Sequence, residues 1–88
     1  MPKVSVIIPA YNVESYINKS INSVMSQSYS DWELIVVNDG STDRTRDVIQ
    51  RFLNKDDRIS IIDQNNGGVS SARNRGIDAA NGNCVFRC

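Results

Sequence analysis

The chain has no histidine and only two cysteines among its 88 residues. Without histidine it lacks the most common general base of enzymes and the Ser-His and Cys-His pairs that activate a nucleophile. Two cysteines without histidine cannot complete a structural zinc site. These absences exclude histidine-based catalysis and a zinc-organised fold for this chain.

An excess of charge and long apolar runs are missing as well. Ten basic and ten acidic residues give a formal net charge of zero, so nothing points to nucleic acid or a membrane surface as a partner. No stretch is long enough to span a bilayer, and the N-terminus lacks the pattern of a signal peptide. We therefore expect one small, marginally stable domain in the cytoplasm. Any contact with the inner membrane face would come through regions that this chain lacks.

Apolar runs and amphipathic stretches alternate along the chain. Four β-prone runs predict strands: residues 3–9, 32–38, 58–63 and 84–88. The stretches between them predict helices: residues 14–27, residues 42 or 43 to about 54, and a third helix that opens at Ser70 or Ser71 and ends at Asn81-Gly82. The order βαβαβαβ predicts an α/β fold with a parallel, Rossmann-like sheet and right-handed crossovers.

Individual side chains give further structural expectations. Ser41, Thr42 and Asp43 are N-cap candidates for the second helix, and Gly82 suits a left-handed position after the third. Cys84 and Cys88 lie four residues apart on one strand, too far apart to bridge each other. We expect both cysteines to be small buried hydrophobic side chains.

The stretch from Val36 to Asp43 organises the chain. A buried strand ends there at Asn38-Asp39-Gly40, residues that tolerate tight turns. A carboxylate at the carboxyl end of a parallel strand lies where open α/β sheets bind their ligands. Asp39 is therefore the first candidate functional residue, with turn formation by Asp39-Gly40 as the alternative interpretation.

Three predicted loops open onto this same edge of the sheet: residues 9–14, 39–43 and 64–71. They supply the aromatic ring of Tyr11, the carboxylate of Asp39 and the pair Gly67-Gly68 ahead of a helix, with Arg73 one turn further. The ring offers a stacking face for a base, and the carboxylate can accept hydrogen bonds from a base N–H or a ribose hydroxyl. The helix start and the arginine favour a phosphate, so the combination suits a nucleotide. Each element also has a structural alternative: the ring packs over the first helix, the glycines shape a turn, and the arginine is a solvated surface charge.

Three motifs in this sequence resemble the family 2 glycosyltransferases with the GT-A fold. They are Val4–Asn12, Glu33–Asp43 and Asn66–Gly76, in the right order and covering nearly the whole chain. The resemblance implies that residues 1–88 are the N-terminal, nucleotide-binding part of a longer domain. It also implies transfer of a sugar from a nucleotide donor, commonly a UDP-sugar, to an acceptor hydroxyl in polysaccharide or glycoconjugate synthesis.

The resemblance assigns roles to residues of the three loops. Tyr11 would lie against the base, Asp39 would hydrogen-bond it, and Arg73 would contact the nucleotide. The full set of implied nucleotide-binding residues is Pro9, Ala10, Tyr11, Asn12, Asp39, Gly40, Gly68 and Arg73. On this basis Asp39→Ala is expected to abolish uridine-nucleotide binding and to leave the fold intact.

The chain departs from the family at its last strand. In the family that strand runs into an Asp-x-Asp motif, which carries the divalent metal, Mg²⁺ or Mn²⁺, that bridges the donor diphosphate. Residues 82–88 begin the equivalent strand and end before that motif, and Arg87 stands where the family has an apolar residue. Glycosyl transfer needs a base and a cation. We therefore assign no catalytic and no metal-binding residue to this chain.

Two other functions stay open at this point. An NAD(P)-binding half of an oxidoreductase also has an acid after its second strand, but residues 9–12 contain no G-x-G-x-x-G. A non-catalytic truncated remnant is the other possibility, and an apolar strand left open at the end of the chain favours truncation. Whether the chain folds discriminates the remnant from a nucleotide-binding unit.

Overall fold

A computed structural model of the chain describes residues 2–87. The strands are β1 (Val4–Ala10), β2 (Trp32–Asp39), β3 (Ile59–Gln64) and β4 (Asn83–Phe86), and the helices are α1 (Ile17–Met25), α2 (Thr45–Leu53) and α3 (Val69–Ala79). The strands form one parallel sheet in the order β3-β2-β1-β4. The predicted α/β fold is confirmed. No helix within the described residues combines the length and apolar character needed to cross a membrane.

Both faces of the sheet are covered by helices, which explains the apolar runs of β1 and β2. Side chains alternate across a strand, so a strand covered on both sides needs apolar residues at successive positions. The α1–α2 face holds the larger core: Val6, Ile8, Ala10, Ile17, Ile21, Val24, Trp32, Leu34, Val36, Ile49, Phe52 and Ile59. On the other face Ile35 and Val37 of β2 pack with Ala72 of α3.

A close contact between α3 and β1 depends on Gly76. A Cβ added at this glycine would lie 2.5 Å from Cγ2 and 3.1 Å from Cγ1 of Ile7. Ile7 is fully buried, and a β-branched side chain has few rotamers into which it can retreat. The absence of a side chain at position 76 therefore sets how closely α3 can pack on the sheet.

The helix starts differ from those predicted. α1 begins at Ile17 rather than Glu14, because the preceding residues form a turn in which Tyr16 N–H donates to the Val13 carbonyl at 2.9 Å. α2 begins at Thr45, and its N-cap residue is Arg44, whose side chain makes no capping hydrogen bond. The predicted capping by residues 41–43 was therefore wrong in position. Nevertheless, Asp43 Oδ1 accepts a hydrogen bond from Thr45 N–H at 2.9 Å.

The ends of α3 also correct the prediction. Its N-cap is Gly68, at φ +93°, rather than Ser70 or Ser71. It ends at Ala79 with extended backbone at Ala80, and Gly82 does not have a positive φ. Gly82 is needed for space instead, because a Cβ there would lie 2.6 Å from the Pro2 carbonyl oxygen.

β4 is an outer strand, and its residues are exposed. It covers residues 83–86, so it begins one residue before the predicted start at 84, and the predicted end at residue 88 lies outside the described residues. Cys84 is exposed, so its predicted burial is wrong; Cys88 lies outside the described residues. The apolar run of residues 84–86 is typical of a covered strand, whereas β4 pairs with β1 along one edge and leaves Val85 and Phe86 each 42% exposed.

The amino edge of the sheet, where the strands begin, has its own polar contacts. Glu33 Oε2 accepts hydrogen bonds from Ser5 Oγ at 2.6 Å and from Asn81 N–H at 2.7 Å. Beside it, the guanidinium of Arg58 lies 3.8 Å from the ring centroid of buried Trp32. These contacts fix the turn between α3 and β4 and the start of β2.

Substituting Gly76 tests the contact between α3 and β1. We expect Gly76→Ala to lower the free energy of unfolding by about 1–2 kcal/mol, because overpacking costs about 1–3 kcal/mol and the better helix propensity of Ala offsets up to about 1 kcal/mol. Urea unfolding followed by circular dichroism measures the change. Asn74→Ala, on an exposed position of the same helix, is the matched control. A Gly76→Ala variant as stable as this control would contradict the close contact.

Candidate functional site

A pocket of about 220 Å³ opens at the carboxyl edge of the sheet. It lies among the segments that follow the first three strands: loop 1 (residues 11–16), loop 2 (residues 40–44) and loop 3 (residues 65–68). Its lining residues are Pro9, Ala10, Tyr11, Asp39, Asn66, Gly68 and Val69. The structure thus brings together five of the eight residues predicted from the sequence.

Tyr11 supplies the aromatic side of the pocket. It is 48% exposed and is not among the side chains of the α1–α2 core. The ring therefore lies outside the buried core and at the pocket. A half-exposed ring at a pocket wall presents a face on which a planar ligand can stack.

Asp39 is the polar centre of the pocket and is only 3% exposed. Its Oδ1 accepts hydrogen bonds from Gln64 Nε2 and Gly67 N–H, both at 2.8 Å, and its Oδ2 accepts one from Gly68 N–H at 3.0 Å. An ionised carboxylate offers about four acceptor positions. Three are taken by β3 and loop 3, so one is left for a ligand in the pocket.

The same hydrogen bonds change the acidity of Asp39. Burial by itself raises the pKa of this carboxyl group, because it disfavours the charged form. The hydrogen bonds from Gln64, Gly67 and Gly68 stabilise that form and outweigh burial, so the pKa lies below its usual value. Asp39 is therefore an ionised hydrogen-bond acceptor at neutral pH.

Loop 2 and loop 3 touch beside Asp39. A Cβ added at Gly40, which has φ +69°, would lie 2.6 Å from the backbone nitrogen of Asn66. Asn66 in turn donates from Nδ2 to the backbone carbonyl of Asp39 at 3.1 Å. Gly40 therefore serves the turn and the close packing of the two loops, and it does not line the pocket.

Asn12 faces loop 2 rather than the pocket. Its Oδ1 accepts hydrogen bonds from Thr42 N–H at 2.7 Å and from Asp43 N–H at 3.3 Å. Its own N–H donates to Ser41 Oγ at 3.1 Å. The sequence placed Asn12 in the right loop, and the structure shows that its carboxamide joins two loops.

Arg73 lies outside the pocket lining. Its guanidinium carbon is 5.4 Å from the ring centroid of Phe86 on β4, within range of a cation–π contact. Three further residues were not predicted from the sequence: Asn66 and Val69, which line the pocket, and Gln64, which donates to Asp39. The polar run before Gly67 contains Gln64 and Asn66 and could have indicated both as site residues. Nothing in the sequence marks the apolar Val69 as part of a site.

The described residues do not fit the divalent metal that the resemblance implies. No group of three or more His, Cys, Asp or Glu side chains within residues 2–87 is arranged to hold a metal ion. Asp39, the acid of the pocket, already accepts three hydrogen bonds from the protein. The side chains of residues 2–87 therefore offer no cluster for a metal-dependent step.

Comparison with known families decides the identity of the fold and its motifs. The model of Glycosyl transferase family 2 matches residues 5–88, which include all three loops. The chain belongs to this family. The family 2 assignment, and with it the GT-A type of Rossmann-like fold, replaces the dinucleotide-binding alternative.

Three proteins illustrate the similarity of this family 2 chain to known sequences and structures. The uncharacterized glycosyltransferase EpsJ of Bacillus subtilis (strain 168) is 48% identical over 85 residues, which cover 97% of this chain and 25% of EpsJ. S. aureus TarS in complex with UDP has a TM-score of 0.88 and 32% identity, covering 97% of this chain and 26% of that one. The mannosyltransferase PcManGT of Pyrobaculum calidifontis, in complex with GDP-Man and Mn²⁺, has a TM-score of 0.82 and 26% identity, covering 90% and 24%. The chain thus spans about a quarter of the length of each.

Acidification tests the attachment of loop 3 to Asp39. The folded pKa of Asp39 is depressed, so its contribution to stability is present above the unfolded value of about 3.9 and is lost as pH falls through the lower folded value. We expect the amide ¹H resonances of Gly67 and Gly68 to shift together over that acidic range in ¹H–¹⁵N spectra. Asp39→Asn should remove this common transition. Its persistence in Asp39→Asn would show that another group controls loop 3.

Proposed function

We propose that this family 2 chain is the donor-nucleotide-binding part of a glycosyltransferase. The intact protein would transfer a sugar from a UDP-sugar to an acceptor hydroxyl in polysaccharide or glycoconjugate synthesis. The observation that carries the proposal is the convergence of Tyr11 and Asp39 in one pocket at the carboxyl edge of the sheet, where open α/β sheets bind ligands. Family membership and the UDP complex of TarS support it.

The chemistry of the pocket favours uracil as the base. The ring of Tyr11 offers a stacking face, and Pro9 and Val69 add apolar wall. Uracil carries one ring N–H, at N3, between two carbonyl groups, and this donor matches the acceptor position left on Asp39. Cytosine has an acceptor at N3 in place of the donor, so its ring nitrogen would face the carboxylate without a proton between them. We therefore expect UDP to bind more tightly than CDP.

The other predicted residues take supporting or peripheral places in this proposal. Ala10 and Gly68 contribute to the wall of the pocket, whereas Asn12 and Gly40 hold the loops that form it. Arg73 is exposed on α3, the helix that begins at the pocket. We propose that its guanidinium contacts the nucleotide by leaving the ring of Phe86, since such an exposed cation–π contact contributes only about 0.5–1 kcal/mol.

The proposed cofactor of the intact protein is a divalent cation, Mg²⁺ or Mn²⁺. The Mn²⁺ in the complex of PcManGT supports this assignment. Such a cation would neutralise charge on the leaving diphosphate. Residues 2–87 contain no fitting ligand cluster, so the function proposed for the chain itself is nucleotide recognition.

The role of Tyr11 is tested by isothermal titration with UDP. We expect Tyr11→Ala to weaken UDP binding about tenfold, since stacking of a base on an aromatic ring is worth about 1–3 kcal/mol. Tyr29→Ala is a matched control, because Tyr29 is 44% exposed against 48% for Tyr11 and lies outside the pocket lining. Equal affinity of the two variants for UDP would contradict the stacking role.

The role of Asp39 is tested by its ligand preference. We expect wild-type chain to prefer UDP over CDP, and Asp39→Asn to lose most of that preference, because an amide both donates and accepts. Since Asp39 also holds loop 3, the ratio of the two affinities is the informative quantity. An unchanged ratio in the variant would remove Asp39 from base recognition.

A further inference from the structure

The link between loop 1 and loop 2 depends on side chains. Pairing of β1 with β2 ends at Ala10 and Asn38, and beyond this point no backbone ladder joins the two segments. Three consecutive N–H groups of loop 1 donate to side chains of residues 41–45 instead: Asn12 to Ser41 Oγ at 3.1 Å, Val13 to Thr45 Oγ1 at 2.9 Å and Glu14 to Asp43 Oδ2 at 3.3 Å.

Asn12 is the residue through which loop 2 bonds back to loop 1. Its Oδ1 accepts from Thr42 N–H at 2.7 Å, Asp43 N–H at 3.3 Å and Thr42 Oγ1 at 3.4 Å. It is also the only non-glycine residue with a positive φ, +50°, among residues 2–87. Asparagine tolerates this left-handed conformation better than most residues, so position 12 needs both its backbone tolerance and its acceptor.

The neighbour of Asn12 is the aromatic residue of the pocket. Tyr11 is half exposed and has no place in the core, so its orientation depends on the backbone at positions 11 and 12. We propose that Asn12 is a positioning residue: its carboxamide holds loop 1 on loop 2 and thereby keeps the ring of Tyr11 at the pocket wall. Its effect on nucleotide affinity rests on the function proposed above. Direct contact of Asn12 with the nucleotide is the rival explanation.

Two variants at position 12 and one control separate the contributions of its backbone and its side chain. Asn12→Gly keeps the freedom to adopt a positive φ and removes the acceptor. Asn12→Asp keeps an acceptor oxygen and the tolerance for the left-handed region. Asn18→Ala is the matched control, since this carboxamide on α1 also accepts a side-chain hydrogen bond, from Asn22 Nδ2 at 2.8 Å, and is not part of the pocket.

The first measurement needs no ligand. We expect Asn12→Gly to speed hydrogen exchange of the Thr42 amide about tenfold, because one hydrogen bond worth about 1.4 kcal/mol is lost, and to lower the NMR order parameter of the Tyr11 amide. Asn12→Asp and Asn18→Ala should resemble the wild type in both. If Tyr11 stays as ordered in Asn12→Gly as in the wild type, the positioning role is overturned, whether or not the chain binds a nucleotide.

The second measurement is a double-mutant cycle on UDP affinity with Tyr11→Ala. We expect Asn12→Gly to weaken UDP binding several-fold in the wild-type background and to have no further effect once Tyr11 is Ala. An equal loss in both backgrounds would show that Asn12 acts on the nucleotide independently of Tyr11, and would overturn the proposal. Absence of UDP binding by the wild type would refute the proposed function, while the ligand-free measurement would still decide the positioning role.

Discussion

The site depends on the hydrogen bonds that the ionised carboxylate of Asp39 accepts. A charged group that is only 3% exposed must be hydrogen-bonded to be tolerated, and its donors come from Gln64 and the Gly67-Gly68 turn. That turn leads directly into α3. The carboxylate therefore fixes the point at which the chain passes from β3 into the helix that covers the other face of the sheet. The lining of the pocket and the packing of the α3 layer are therefore coupled through one side chain.

Neighbouring loops in this site are held together by short polar side chains. Asp39 joins the end of β2 to loop 3, and Asn12 joins loop 1 to loop 2. Each of these side chains lies close to the point where strand pairing ends. Side-chain hydrogen bonds therefore continue to connect neighbouring segments beyond the sheet. Asn12 and Gly40, which the resemblance implies as nucleotide-binding residues, thus also make contacts between the loops that form the pocket.

The sequence was sufficient for the fold and for the centre of the site. Hydrophobic periodicity is a local signal, and the carboxyl ends of parallel strands share one edge, so the sequence alone predicts that Tyr11 and Asp39 lie near each other. Partners distant in sequence were not predictable. Ser70 and Ser71 are good caps by type, yet Gly68 caps α3 because Asp39, 29 positions earlier, receives its N–H. The exposure of Cys84 depends on what lies beside β4, which the strand pattern does not encode.

The single tryptophan has a consequence for how ligand binding can be observed. Trp32 is buried beneath Arg58 at the first position of β2, and Asp39 is the last position of the same strand. Seven steps of about 3.3 Å put roughly 23 Å of rigid backbone between them. The natural fluorophore therefore senses solvent entry into the core and is optically remote from the pocket. A constant emission spectrum on adding a nucleotide is compatible with full occupancy.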